Sequence, residues 1–352
     1  MRLSDILKKT SQIPLSRQNP TPEQSPSPDT VHNAQPVPAP IPAAREERIS
    51  TTAEEVYAKA IIEIKNIISG IDKGVPYSSS IVSVPAIARL IEEGNEDILL
   101  LADKATPDIY LYGHCVNLCI FATCLGKGFG YNTEKLLNLG YCAFLIDIGL
   151  SPSPGAKKER GQSNADNHDL LKMIPELTEN IKTLILEVII QNQNQKTPAG
   201  ISELKGTDIH DFARIIAVAN VFETLTHPRA GKERMIPHEA LKSMINTSNQ
   251  GFDNEIIKMF LERLSLYPPG SYVKLNSEEI GRVVGLNKGL PTRPKVKVMI
   301  DSSGQRLAAR LVDLSTNPMI FIKEALDETK LNLADKKLML ELKAVRWWVK
   351  GL

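Results

Sequence analysis

The local sequence pattern changes once, at Tyr267-Pro268-Pro269-Gly270, and this change divides the 352-residue chain into a helical part and a β part. Between Thr51 and Leu264 apolar residues recur at helical spacing, and period-two alternation is absent. After Gly270, short β-branched runs alternate with turns of Gly, Asn, Ser and Pro. The sequence therefore predicts a mainly α protein with a small C-terminal β module.

The helical pattern resolves into a series of separate helices. The first begins near Thr52, and the others are predicted at 80–93, 95–104, 113–127, 132–150, 164–175, 177–193, 208–226, 236–246 and 253–264. The predicted strands are Tyr272–Leu275, Gly281–Val284, Val296–Ile300, Ala309–Asp313 and Met319–Ile322. Short strands separated by turns predict an antiparallel sheet or barrel.

The two ends of the chain differ from this core. Residues 11–49 hold nine of the 23 prolines, a composition typical of a disordered linker. Residues 1–10 have apolar side chains at helical spacing, which predicts either a short docking helix or a frayed terminus. We divide the rest into N-terminal bundle helices (50–108), a main helical domain (109–265), the β module (266–325) and a C-terminal helical tail (326–352).

Composition excludes several classes of protein. The 42 Lys and Arg residues nearly balance 41 Asp and Glu residues, so no overall positive charge favours nucleic acid. The longest apolar runs, such as Thr183–Ile190, are shorter than the roughly 20 residues of a membrane span. We expect a cytoplasmic protein. Four clustered cysteines are expected to be small buried side chains: Cys115, Cys119, Cys124 and Cys142.

One acidic residue points to a functional site. Asp147 lies among apolar residues in Leu145–Gly149, where an unpaired carboxylate would cost several kcal/mol. It therefore requires a partner or a ligand. His114 and His168 belong to other predicted helices and provide two imidazoles.

These residues lie in a region, about 52–325, that resembles the HD-GYP family of metal-dependent phosphohydrolases, which hydrolyse cyclic di-GMP. The family's opening histidine motif appears as Gly113-His-Cys-Val116, and its His-Asp-Ile-Gly-Lys motif as Ile146-Asp-Ile-Gly-Leu150. A later metal-binding histidine of the family matches His168, and the helix Ala213–Thr226 follows the family pattern closely. The resemblance implies an HD-type helical bundle with a metal site.

The same resemblance implies that several metal ligands have been replaced. The segment that gives the family its name aligns with Gln191–Ile201, and the lysine after Asp-Ile-Gly is Leu150. The vacated ligand positions are Ile146, Gln191, Asn192 and Asn220. Amides bind transition metals poorly, and isoleucine provides no ligand. The resemblance implies no metal, or one weakly bound Fe, Mn or Zn ion at the three matched residues that remain: His114, Asp147 and His168.

Three functions are compatible with this pattern. The favoured one is a catalytically degenerate HD-GYP protein that senses a cyclic dinucleotide or binds a protein in bacterial signalling. Its candidate phosphate contacts, for which surface ion pairs are the alternative, are Lys205, Arg214 and Arg229. The second is an altered phosphohydrolase with a one-metal site. The third is a scaffold that contacts partners through residues 1–10 or the C-terminal tail.

Overall fold

The structure is a computed structural model that describes residues 51–104, 110–149, 164–194, 210–228, 233–247 and 253–344. The helices before the sheet are α1 (Thr51–Asp72), α2 (Ser83–Glu92), α3 (Asp97–Ala102), α4 (Tyr110–Gly128), α5 (Thr133–Phe144), α6 (Asn164–Lys172), α7 (Glu179–Asn194), α8 (Asp211–Thr226), α9 (Pro237–Thr247) and α10 (Asn254–Leu264). The later elements are β1 (Tyr272–Leu275), β2 (Ile280–Gly285), β3 (Lys295–Ile300), β4 (Arg306–Asp313), β5 (Ile322–Leu326) and α11 (Lys336–Ala344).

Helix α4 is the centre of the helical bundle. Its residues from His114 to Gly126 are all buried, because α1, α2, α3, α5, α8 and α10 pack around it. A helix that is apolar on nearly every side is stable only in such surroundings. Any polar side chain on α4 must therefore find a partner inside the protein.

Three phenylalanines join α4 to its neighbours α8 and α10. The Phe121 and Phe222 rings lie edge to face with their centroids 5.4 Å apart, and Phe222 and Phe260 lie 4.8 Å apart in a similar arrangement. Such aromatic pairs add about 0.5–1.5 kcal/mol each beyond the burial of their area. This packing fixes the position of α8 against α4.

The start of α2 depends on a side chain from α1. The residue before α2, Val82, cannot cap the helix through its side chain. The Glu63 carboxylate instead accepts hydrogen bonds from the backbone N–H groups of Val82 and Ser83, at 3.1 and 2.9 Å. An acidic group at a helix N-terminus also interacts favourably with the helix dipole. Glu63 thereby fixes the angle between the first two helices.

The β module is a five-stranded antiparallel sheet with strand order β4-β3-β2-β1-β5. Side chains alternate between its two faces, and each face has its own apolar cluster. One cluster contains Val273, Leu275, Val283, Val296, Val298, Val312 and Leu314. The other contains Tyr272, Ile280 and Ile300 together with Leu338 and Leu342 of α11. Helix α11 therefore packs on the second face.

The turn between the two parts holds the β module against the bundle. Gly270 has a φ of +96°, and a Cβ atom there would lie 2.7 Å from Asp103 Oδ2. Glycine is therefore required for both conformation and space. Arg234 pairs with Asp327 and with Glu328 across the same junction.

The fold predicted from the sequence is confirmed, but one strand is misplaced and the helix predicted at 132–150 ends at Phe144. Residues 1–49 lie outside the described residues. The run Met319–Ile322 is not the fifth strand, which begins at Ile322. The backbone carbonyl groups of residues 317, 318 and 320 accept hydrogen bonds from the Arg293 guanidinium, so this segment forms a loop and not a strand. The four cysteines are buried free thiols, as predicted. Among the described helices, none combines the length and apolar character needed to cross a membrane.

We predict that Leu118→Ala lowers the free energy of unfolding by about 3–5 kcal/mol, because it leaves a cavity in the centre of the bundle. Leu118 is fully buried on α4, whereas Leu290 of the β module is 42% exposed. The matched control Leu290→Ala should change stability by no more than about 0.5 kcal/mol. Urea unfolding of both variants tests the packing, and equal effects would contradict it.

Candidate functional site

The candidate site lies where α4, α8 and the end of α5 meet. Tyr110, His114 and Asn117 are spaced by four and three residues on α4, so they share one face of that helix. Glu223 lies on the facing side of α8, and Asp147 follows the C-terminus of α5. The aromatic packing of α8 against α4 places these polar groups together.

His114 contacts a carboxylate through each of its ring nitrogens. Its Nδ1 atom lies 2.5 Å from Glu223 Oε2, and its Nε2 atom lies 3.2 Å from Asp147 Oδ2. The His114 and Glu223 side chains are almost fully buried, whereas that of Asp147 is 25% exposed. Asp147 thus has the partner that its apolar surroundings require, and it connects the buried pair to solvent.

The Glu223 carboxylate has further hydrogen-bond donors. The Tyr110 hydroxyl donates to Oε2 at 3.1 Å, and the Asn117 side-chain amide donates to Oε1 at 3.3 Å. Charge-assisted hydrogen bonds of this kind compensate for the loss of hydration when a carboxylate is buried. The carboxylate is therefore satisfied from several sides by α4.

The network continues beyond these helices. The Tyr57 hydroxyl of α1 donates to Asn117 Oδ1 at 2.9 Å, which orients the amide toward Glu223. His227 lies just after α8, and its Nε2 atom is 2.9 Å from the Ala102 carbonyl of α3. Since a carbonyl only accepts, Nε2 carries a proton. One buried polar network thus connects α1, α3, α4 and α8.

The charges within this network change the pKa values of its members. Burial alone would lower the pKa of His114, but the charges of Glu223 and Asp147 and their hydrogen bonds outweigh it and raise the pKa to about 10. Burial would raise the pKa of Glu223, but His114, His227 and the Asn117 hydrogen bond lower it to about 2. The pair is therefore ionised at neutral pH.

The structure does not bring His168 to this pair. The His168 side chain on α6 is 49% exposed and lies 3.9 Å from Asp169. Among the described residues, His, Cys, Asp and Glu side chains form no group of three or more that could hold a metal ion. The three residues that the sequence grouped as a residual metal site are thus reduced to His114 and Asp147.

The four positions at which the resemblance implies lost metal ligands make contacts within the protein. Ile146 is part of the apolar core, and the Gln191 side chain accepts a hydrogen bond from the His210 backbone N–H at 2.9 Å. Asn192 donates to the Val188 carbonyl at 3.0 Å, and Asn220 accepts from the Thr224 hydroxyl at 3.2 Å. These side chains stabilise α7 and α8.

The candidate phosphate contacts receive no support from the described residues. Arg214 forms ion pairs with Asp211 and with Asp253, at 2.5 Å for the second, so its charge is already balanced. Arg214 thus links the starts of α8 and α10 through ion pairs, and its role as a phosphate contact stays a prediction. Lys205, Arg229 and Leu150 lie outside the described residues.

Sequence reasoning missed Glu223, the most deeply buried acid of the site. Two signals were available. Glu223 follows Asn220 by three residues on α8, so both lie on one face, and it is an acid within the apolar run Val221–Leu225. The second signal is the row of polar residues on buried α4, Tyr110, His114 and Asn117, which need a buried hydrogen-bond partner such as Glu223.

Comparison with protein families agrees with both parts of the fold. Residues 111–256 match the family model described as HD domain, and residues 272–334 match the model described as KOW domain associated with HD domain. The helical domain therefore contains an HD domain, and the β module corresponds to the KOW domain that accompanies it. No solved structure matches the chain.

Two curated proteins show more distant similarity. The chain is 21% identical over 238 residues to cyclic di-GMP phosphodiesterase PdeB of Borreliella burgdorferi, covering 64% of this chain and 62% of that protein. It is 25% identical over 228 residues to a cyclic di-GMP phosphodiesterase of Pseudomonas aeruginosa, covering 62% and 55%. The chain is therefore similar to cyclic di-GMP phosphodiesterases, and it matches less than two thirds of either relative's length.

The side chains of the described residues do not fit a two-metal centre. Such a centre needs several imidazole and carboxylate ligands for each ion. Among the described residues the site offers the Nε2 atom of His114 and the carboxylate of Asp147, while Glu223 binds the other ring nitrogen. Glu223 thus has the position of a carboxylate that orients a histidine from behind.

We predict that Glu223→Gln lowers the free energy of unfolding by about 3–5 kcal/mol, because it removes one partner of a buried ion pair. The matched control is Glu93→Gln. Glu93 is an exposed acid that faces Arg89 across one helical turn, and its loss should cost no more than about 1 kcal/mol. Equal destabilisation of the two variants in urea would contradict the role assigned to Glu223.

We also predict that stability falls as pH rises from about 6.5 to about 10. The pKa of His114 is 6.5 in the unfolded chain and about 10 in the folded protein, so the folded state binds more protons in this interval. His114 can lower the free energy of unfolding by at most about 1.4 kcal/mol per pH unit in this interval. His114→Gln should reduce this slope, whereas His168→Gln should keep it. Equal slopes in urea unfolding at several pH values would refute the assignment.

Proposed function

We propose that the protein is a catalytically degenerate HD-GYP-type protein that acts in bacterial signalling without hydrolysing its ligand. It senses a cyclic dinucleotide or binds a protein partner in the cytoplasm. The observation that carries this proposal is the contact of both His114 ring nitrogens with carboxylates, in a site whose described residues form no metal-ligand group of three.

The contacts at the replaced positions support the same conclusion. Ile146 packs in the core, and the Asn192 and Asn220 amides hydrogen-bond within the helical domain. These residues therefore contribute to packing where an active enzyme would need metal ligands. Loss of catalysis with retention of the fold is what such replacements produce.

Cyclic di-GMP is the ligand to test first. Both curated relatives are named as phosphodiesterases of this dinucleotide. Asp147 is partly exposed, so the site reaches the surface of the helical domain. For the alternative of a protein partner, the candidate contact is residues 1–10, which lie outside the described residues.

An altered phosphohydrolase with one metal ion is the second candidate. It is favoured by the 3.2 Å separation of His114 Nε2 and Asp147 Oδ2. Two neighbouring ligands with bonds of about 2.1 Å at a right angle would be about 3.0 Å apart. One ion held by these two groups would still lack the third and fourth ligands that ordinarily retain it against water.

We predict that the purified protein does not convert cyclic di-GMP to a linear product when Mn²⁺ or Fe²⁺ is supplied. Chromatography of the nucleotide after incubation measures turnover, and calorimetry measures binding. Binding without turnover would support a sensor. The absence of both binding and turnover would support a protein-interaction module. Turnover that Asp147→Ala abolishes would establish the one-metal enzyme instead.

We further predict that Asn220→Asp alone does not create activity. The new carboxylate would meet an incomplete set of ligands, since Ile146, Gln191 and Asn192 would remain unchanged. The same turnover assay checks this, with thermal unfolding as a control for folding. A rate well above that of the unmodified protein would show that one replaced ligand accounts for the inactivity.

A further inference from the structure

We infer that the C-terminal tail, residues 345–352, docks within the same molecule on an exposed apolar surface of the β module formed by Met319 and Phe321. This Met319–Phe321 surface is separate from the site on the helical domain. The inference therefore does not depend on the proposed function.

The loop that carries this surface is held by one guanidinium group. Arg293 donates hydrogen bonds to the carbonyl groups of Leu314, Asn317, Pro318 and Ile320, at 3.0–3.4 Å. A planar guanidinium has five N–H donors, so it can donate hydrogen bonds to several carbonyl groups of one loop. The loop before β5 thus has a defined backbone conformation.

A second side chain fixes the end of this loop. The Asn276 amide donates to the Met319 carbonyl at 3.0 Å and accepts from the Phe321 backbone N–H at 3.0 Å. In spite of this rigid backbone, the Met319 side chain is 83% exposed and that of Phe321 is 51% exposed. Large apolar side chains presented on an ordered loop are typical of binding surfaces.

The register of β5 shows which face of the sheet Phe321 occupies. Leu275 pairs with Ile322 after an irregularity in the ladder, and both side chains belong to the cluster on the face away from α11. Ile320 also packs against this cluster, so Phe321, which lies between Ile320 and Ile322 just before β5, is directed to the face that α11 covers. The surface and α11 therefore share one side of the sheet.

The tail begins close to this surface. The Tyr272 hydroxyl of β1 donates to the Leu342 carbonyl near the end of α11, at 3.4 Å. From Tyr272 to Asn276, beside Phe321, the chain advances four residues, or about 13 Å along the strand. Trp347 and Trp348 lie three and four residues beyond Ala344, so the chain can carry them up to about 10 and 14 Å from the end of α11. Both tryptophans are therefore within reach of the surface.

The chemistry of the tail matches the surface. Residues 345–352 are Val-Arg-Trp-Trp-Val-Lys-Gly-Leu, and they contain both tryptophans of the protein. Indole rings pack favourably against phenylalanine rings and against methionine sulfur. We therefore expect the Trp347 and Trp348 rings to pack against the side chains of Met319 and Phe321. A tail held in this way is not available as a contact for another protein.

The experiment uses the tryptophan fluorescence of the full-length protein, which reports on this tail alone. Met319→Ala and Phe321→Ala should each shift the emission maximum toward that of the urea-unfolded chain and raise quenching by acrylamide several-fold. The matched control is Leu311→Ala, an exposed apolar residue on β4 at the opposite edge of the sheet. This control should leave the emission unchanged, and circular dichroism should show that all variants are folded.

Three results would overturn the inference. The first is emission of the unmodified protein at the position of the unfolded chain. The second is buried tryptophans whose emission responds to neither Met319→Ala nor Phe321→Ala. The third is loss of tryptophan burial when the protein is diluted, because this would mean that the tail of a second copy occupies the surface.

Discussion

The burial of the Glu223 carboxylate is the constraint on which the helical domain depends. A carboxylate with no exposed surface is tolerated only when its charge and lone pairs are matched. His114, Tyr110 and Asn117 of α4 provide this match from one helix face. Because Tyr57 and His227 extend the network to α1 and α3, the arrangement of four helices depends on one ionised group.

The same interaction limits what the site can do. A histidine whose Nδ1 atom is held by a carboxylate presents Nε2 in a fixed direction, which in metalloenzymes faces the metal. In this chain Nε2 faces Asp147, and Ile146 beside it belongs to the core. His114 is thus an oriented histidine with one carboxylate at Nε2, while Ile146, Asn192 and Asn220 make contacts within the helical domain. The geometry is that of an HD site whose helices are joined by an internal ion pair.

The fold could be predicted from the sequence because its helices and strands follow simple periodicities. Boundaries of α4 and α10, for example, fall within three residues of the prediction. The fifth strand was misplaced because apolar residues at 319–322 read as a strand, whereas Arg293 holds the preceding loop by its carbonyls. A contact of this kind between distant residues leaves no local signal in the sequence.

The candidate site was only partly predictable for a similar reason. His114 and Asp147 follow from motif positions, and their contact follows from the need of a carboxylate for a partner. Glu223 was missed because the motif pattern points to Asn220, one turn earlier on α8. His168 was expected at the pair, yet its side chain is half exposed on α6.

We propose that an internal ion pair, rather than a bound metal ion, holds the helices of the site together. Thermal unfolding of the purified protein before and after exhaustive dialysis against a chelator tests it most directly, with elemental analysis of the same samples. If the ion pair holds the helices together, the samples contain less than stoichiometric metal and the midpoint of unfolding does not change. A stoichiometric metal ion whose removal lowers the midpoint, and whose return restores it, would contradict this role of the ion pair.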